Sequence, residues 1–142
     1  VTMQAAQISR TGLDVEWQRL QVIAQNLANM NTTRTASGDP YRPSQLITGP
    51  KVSFADAVRD KGMPSRPTGV EVLGLEAIPG GVRRVHEPGH PHADADGFVT
   101  YPDIDHAAQM TLLIKTSRVY EANLTALTIA QQMYARALEL GK

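Results

Sequence analysis

Apolar residues recur with a seven-residue period at both ends of this chain and lose it in between. Near the start, Leu13, Leu20 and Leu27 are seven apart, Trp17 and Ala24 follow the first two by four, and Ile23 and Met30 widen the stripe. Asp14, Glu16, Arg19, Gln21 and Gln25 occupy the remaining sides. That spacing predicts an amphipathic helix from about Met3 to Met30, with a seam suited to coiled-coil packing. Asn31, Thr32 and Thr33 prefer turns and caps to helix interiors and predict its stop.

The last segment, about Asp105 to Leu140, carries three such rows. Leu113, Tyr120, Leu127 and Tyr134 form one; Met110, Ser117, Leu124, Gln131 and Leu138 form another; Leu112, Val119, Ala126, Met133 and Leu140 complete the stripe. Three adjoining rows are too broad for a single partner helix to cover. Asp103 or Asp105 is placed to cap the start, and Gly141 to take a left-handed conformation after the end. At ~1.5 Å per residue the two helices would be roughly 40 and 50 Å long.

Between them lie all nine prolines and most of the eleven glycines, which forbid a long helix. Gln45–Ile47, Lys51–Phe54, Gly69–Leu75, Val82–His86 and Phe98–Tyr101 read as short strands separated by turns. The expected fold is α+β, with long N- and C-terminal helices packed as a coiled-coil-like pair around a small β-rich, Gly/Pro-containing middle. The expected divisions are 1–33, 34–104 and 105–142, with a long helix at each end. Such a middle is too small to cover what the helices leave exposed, which points to partner subunits. A compact monomer with the middle folded over both helices is the alternative.

The subunit-packing set expected from these rows is Leu13, Trp17, Leu20, Ile23 and Leu27 with Leu113, Tyr120, Leu124, Leu127, Tyr134 and Leu138. Asn26, Asn29, Asn123 and Gln131 interrupt it, and amides in such a seam can fix the register between helices. Their other reading is a solvent-facing side chain.

Composition narrows the function. The 142 residues carry 14 Lys+Arg against 14 Asp+Glu, and a neutral chain lacks the basic excess of a nucleic-acid module. No apolar run approaches the ~20 residues that span a bilayer. The opening VTMQAAQISR lacks the charged start and apolar block of a secretory signal. There is no cysteine, hence no disulfide scaffold, thiolate metal site or thiol nucleophile.

The tempting chemistry is the run from His86 to Gly97, with His86, His90, His92, Asp94 and Asp96. Imidazoles and carboxylates can ligate zinc, and a metal-binding protein or hydrolase built on this loop is the rival function. Pro88 and Pro91 rule out a helix that would present two histidines on one face. The stretch from His92 half-matches a calcium loop, but its first position is histidine, its twelfth is the short Asp103, and Pro102 stands where a helix should follow. Asp-Ala-Asp-Gly is more simply a turn between strands. Two Asn-x-Thr triplets, at Asn31 and Asn123, and a mild basic cluster of Arg59, Lys61, Arg66, Arg83 and Arg84 add little. No phosphate-cradle or nucleophile-elbow motif is present. No catalytic, cofactor-binding or metal residue is assigned, no cofactor is expected, and the chain is not expected to be an enzyme.

The residues themselves resemble a known family. Gly12-Leu-Asp and Arg19-Leu-Gln-Val-Ile-Ala-Gln-Asn-Leu-Ala-Asn-Met-Asn-Thr32 resemble the N-terminal signature of the bacterial flagellar rod and hook proteins. Ser117-Arg-Val-Tyr-Glu-Ala-Asn123, with Ala130 to Leu140, is similar to that family's closing helix. Pro88 to Pro102, and Thr33-Arg-Thr with Tyr41-Arg42, are similar to segments of its short proximal-rod members, although His92 stands where Asp is commoner. The resemblance spans nearly the whole chain, and a different short rod subunit of the same family is the nearer alternative. It implies a structural subunit of the basal body, crossing the cell envelope and exported without a cleaved signal by the flagellar type III apparatus. Implied partners are copies of itself, other rod proteins, the membrane-ring base and the rod-base adaptor, with no nucleic acid and no small-molecule substrate. It further implies that the terminal helices build a helical tube that transmits torque for motility.

Overall fold

The computed structural model describes residues 2–59 and 68–141. In chain order it contains α1 (Thr2–Ala28), β1 (Ser44–Pro50), α2 (Phe54–Arg59), β2 (Val70–Ala77), β3 (Val82–His86), β4 (Phe98–Pro102) and α3 (His106–Leu140). It is an α+β fold in which the two long helices pack against each other and the strands form two separate antiparallel ribbons, β1·β2 and β3·β4. Lys61 and Arg66 of the basic cluster lie outside the described residues.

The helices are antiparallel. Asn26 meets Gln109, Trp17 faces Tyr120 with ring centroids 6.3 Å apart, and Gly12 meets Asn123, so the register descends along α1 as it climbs α3. Asp105 caps α3: its Oδ1 accepts from the amide of Ala108 at 3.1 Å, satisfying one of the donors left open at a helix start. Gly141 closes the other end at φ −84°, in the right-handed rather than the left-handed region. Its N–H continues the helical pattern onto the carbonyl of Ala137, so no reversal is required there.

α1 is covered on a second side as well. Val15 and Val22 bury themselves with Leu46 of β1, and Val72 of β2 packs against that cluster. The β1·β2 ribbon thus lies along a flank of α1 next to the one that α3 covers, and Asn26 sits where the two meet. Its ladder slips by one residue between Ile47 and Thr48, leaving Leu73 as the extra residue of β2. Leu73 closes over Gly49, which has no Cβ to obstruct it.

One expected strand is absent. Lys51–Phe54 does not extend: Phe54 begins α2, and the side chain of Ser53 caps it. Ser53 Oγ accepts from the amide of Asp56 at 3.1 Å and donates to its carboxylate at 2.7 Å, a reciprocal pairing that favours a helical turn over a strand.

Candidate assembly interface

The side of α3 turned toward α1 mixes polar with apolar residues. Gln109, Thr116 and Ala130 are buried, with Leu113, Tyr120, Asn123 and Leu127 half-buried between them, an alternating four-three spacing. The larger apolar side chains point elsewhere. Met110, Leu112, Ile114, Val119, Leu124, Ile129 and Met133 are all exposed, and every described residue of α3 after Ala130 is open to solvent.

Of the residues picked from the sequence, Ile23 and Asn26 are buried. Leu13, Leu20, Leu27, Asn29, Leu113, Tyr120, Asn123 and Leu127 are half-buried, whereas Trp17, Leu124, Gln131, Tyr134 and Leu138 are exposed. The heptad rows did not reveal the stripe Val15, Arg19, Val22 and Asn26, which serves the ribbon. Its four-three-four spacing was a usable signal, masked by the leucine row beside it.

Asn26 joins three elements. Only 1% exposed, it donates to the carbonyl of Ser44 at 2.8 Å and to Oε1 of Gln109 at 3.3 Å. Its Oδ1 accepts from the Tyr41 hydroxyl at 2.9 Å and from the Ser44 amide at 3.1 Å. The amide's donors and acceptor are thereby all used, which a buried polar group requires. Burial pushes the Tyr41 phenol above its ordinary pKa, keeping the proton that this bond needs. Two helical turns away, Arg19 reaches Leu46 O at 3.2 Å and Thr48 Oγ1 at 3.3 Å across the slipped register, while Glu16 holds its Nε at 3.2 Å.

The histidine–aspartate loop between β3 and β4 is folded by the side chains that looked like ligands. Asp94 Oδ1 accepts from the amides of Asp96 and Phe98 at 3.0 and 2.9 Å, and its carboxylate pairs with Arg84. The Phe98 amide, aided by Arg84, holds its pKa below the usual carboxylate value. His86 stands edge-on to Phe98, His90 Nδ1 accepts from the amide of His92 at 3.0 Å, and His92 Nδ1 lies 2.7 Å from Thr33 Oγ1 just beyond α1. Tyr101 donates to Glu87 at 2.9 Å, a bond that raises the phenol's pKa. Gly97, at φ +80°, gives the close turn beside Pro88 that lets β4 return. Among the described residues no three His, Asp or Glu side chains converge as a metal would need, and no helix is long and apolar enough to cross a membrane.

What remains is surface. The chain exposes 9940 Å², against about 7,200 Å² for a compact monomer of this mass. The difference is of the size that obligate interfaces cover.

Known proteins share these ends and this middle. Residues 3–34 match the family described as "Flagella basal body rod protein", and residues 95–140 match "Flagellar basal body rod FlgEFG protein C-terminal". The chain is 31% identical to the flagellar basal-body rod protein FlgC of Borreliella burgdorferi, over 94% of this chain and 93% of that one. It is 33% identical to FlgC of Bacillus subtilis over 95% of both, and 33% identical to FlgC of Salmonella typhimurium over 95% of this chain and 94% of the relative.

Proposed function

The chain belongs to the FlgC family of flagellar basal-body rod proteins, structural subunits of the flagellar rod, and on that footing we propose how it builds the rod. The terminal helices, within 1–33 and 105–142, pack with those of neighbouring copies and of other rod proteins into a helical tube. Residues 34–104 form its outer part. The tube belongs to the proximal rod and carries torque by interlocked helices, with no catalytic step. Subunits reach it through the flagellar type III export apparatus and meet the membrane-ring base and the rod-base adaptor there.

The observation that carries this reading is the outward-facing apolar stripe of α3, Leu112, Val119, Ala126, Met133 and Leu140, every member of which is exposed. Among the described residues no element covers it: Leu112 and Val119 flank the groove beside Glu16 and Arg19 of α1, and the row turns farther from that helix as it climbs. Trp17, Leu124, Tyr134 and Leu138 are exposed as well, on other parts of the helix pair. Leu13, Leu20, Ile23, Leu27, Leu113, Tyr120 and Leu127 hold the helix pair that presents it, with Asn26, Asn29, Asn123 and Gln131 setting register.

Mass spectrometry of basal bodies stripped with salt and detergent tests the proposal. The chain is expected as a stoichiometric component of the proximal segment. Its absence from intact basal bodies would overturn the reading.

A further inference from the structure

Among the described residues both ribbons are two strands wide, so each strand has an outer edge, and the chain treats those edges unequally. The edge of β1 is blunted by α1: Asn26 takes the amide and carbonyl of Ser44, and Arg19 donates to the carbonyl of Leu46. In an antiparallel pair, directly opposed residues turn both backbone groups inward or both outward. Ser44 and Leu46 face outward, so their partners Ala77 and Leu75 turn theirs to the outer edge of β2. Among the described residues, no side chain bonds those groups. Leu73 and Leu75 beside them are each 63% exposed. An open, apolar edge of this kind is a template for another strand. β3 is likewise paired on one side only, and Val82 at its start is exposed.

Charge selects which edges can meet. β2 carries Glu71 and Glu76 and no base, while β3 carries Arg83 and Arg84 and no acid; Arg84 is already paired with Asp94, so Arg83 carries the charge of this edge. Two β2 edges would oppose glutamates and two β3 edges would oppose arginines, and like charges across a strand pair are unfavourable. We propose that β2 of one copy pairs its outer edge with β3 of a second copy, joining two ribbons into a four-stranded sheet across the subunit boundary. The two edges are different surfaces, so the contact is head-to-tail and repeats from copy to copy. The inference rests on the rod-subunit reading for its supply of adjacent copies, and adds an outer strand contact to the helical one.

The chain has no cysteine, so a thiol placed on each edge is the only one present. Cells are given Leu75→Cys and Val82→Cys as a mixture of copies, and their basal bodies are isolated, oxidised and run on a non-reducing gel. A disulfide-linked dimer from the mixture, absent when either variant is present alone, is the expected result. A dimer from Leu75→Cys alone would mean β2 pairs with itself and would overturn the proposal. So would basal bodies that contain both variants and yield no dimer.

A charge exchange gives an independent reading. Glu76→Arg and Arg83→Glu are each expected to lower incorporation several-fold, and both in one chain to restore at least half of it. A combined variant no better than the worse single one also overturns the proposal. Wild-type basal bodies that lack the chain altogether would defeat the rod reading itself, a result separable from either failure.

Discussion

Gly12 and Asn123 touch where α1 and α3 cross: a Cβ on the glycine would stand 2.9 Å from Nδ2 of the asparagine. The close approach is bought with a residue that weakens an exposed helix by up to about 1 kcal/mol relative to Ala. Gly12→Ala should be near neutral, because the helix gain offsets the swing of a flexible amide. Gly12→Leu should cost about 1–3 kcal/mol by overpacking. Thermal unfolding followed by circular dichroism checks both, and equal stability of the two variants would contradict the crossing.

Asn26→Leu should be the most damaging single change in the helix pair. It strands the amide and carbonyl of Ser44 beneath α1 at about 1–3 kcal/mol for each orphaned group. Gln109→Leu removes only the 3.3 Å bond and should cost less. Urea denaturation of the two variants gives the order, and the reverse order would mean that Asn26 is not the junction.

Gly69→Ala should loosen the β1·β2 ribbon from α1. Gly69 sits at φ +139°, and an added Cβ would overlap Thr11 Oγ1, the atom that accepts the Val70 amide at 3.1 Å. A cost of about 1–3 kcal/mol is expected from the strained backbone alone. Combining it with Thr11→Ala should cost less than the sum of the single variants, because the overlap is counted once. Strict additivity in a double-mutant cycle would exclude the contact.

Acid should loosen the β3·β4 turn before the helices. Asp94 has a folded pKa depressed chiefly by the Phe98 amide, so its contribution is present above the ordinary carboxylate pKa. That contribution is lost as pH falls through the folded value. In Asp94→Asn the turn should be weaker at neutral pH and indifferent to this titration. Amide exchange at Asp96 and Phe98 across the acid range is the measurement, and an unchanged acid response in the variant would refute the assignment.

Leu124→Asp should fold and fail to assemble, since Leu124 is exposed in the single chain. Leu127→Asp should fail at both, because Leu127 is half-buried in the helix pair. His90→Ala removes an acceptor from the His92 amide within its own loop and should leave motility nearly intact. Swimming assays beside circular dichroism of the purified chains separate these outcomes, and normal motility with Leu124→Asp would contradict a part for Leu124 in assembly.

The two long helices and the α+β class were legible because every proline lies between Pro40 and Pro102 and heptad rows flank that block. The division of labour among the rows was not. Three apolar rows on α3 say that much must be covered, but the side turned to α1 adds Gln109 and Thr116 to Leu113, Tyr120, Asn123 and Leu127, and pattern alone reads those two as polar surface. Val15 and Val22 were hidden for a related reason: a helix packed on two sides has two overlapping stripes, and the leucine period dominates the eye. Lys51–Phe54 was misread because Val52 and Phe54 suit a strand, whereas the Ser53–Asp56 cap that decides the matter is a local hydrogen-bond choice. The histidine loop shows the converse, with ligand-like side chains spent on folding their own turn.

The exposed leucines of α3 also have a meaning for supply. A chain that leaves Leu112, Leu124, Leu138 and Leu140 open to solvent is prone to unwanted contacts until its neighbours cover them. Copies made faster than they are incorporated would present the same long greasy helix to chaperones and proteases. Subunit number would then be regulated by removal of the surplus, without a dedicated counting device. Blocking assembly while leaving synthesis on should shorten the chain's lifetime in a pulse-chase, and an unchanged lifetime would show that unassembled copies find shelter elsewhere.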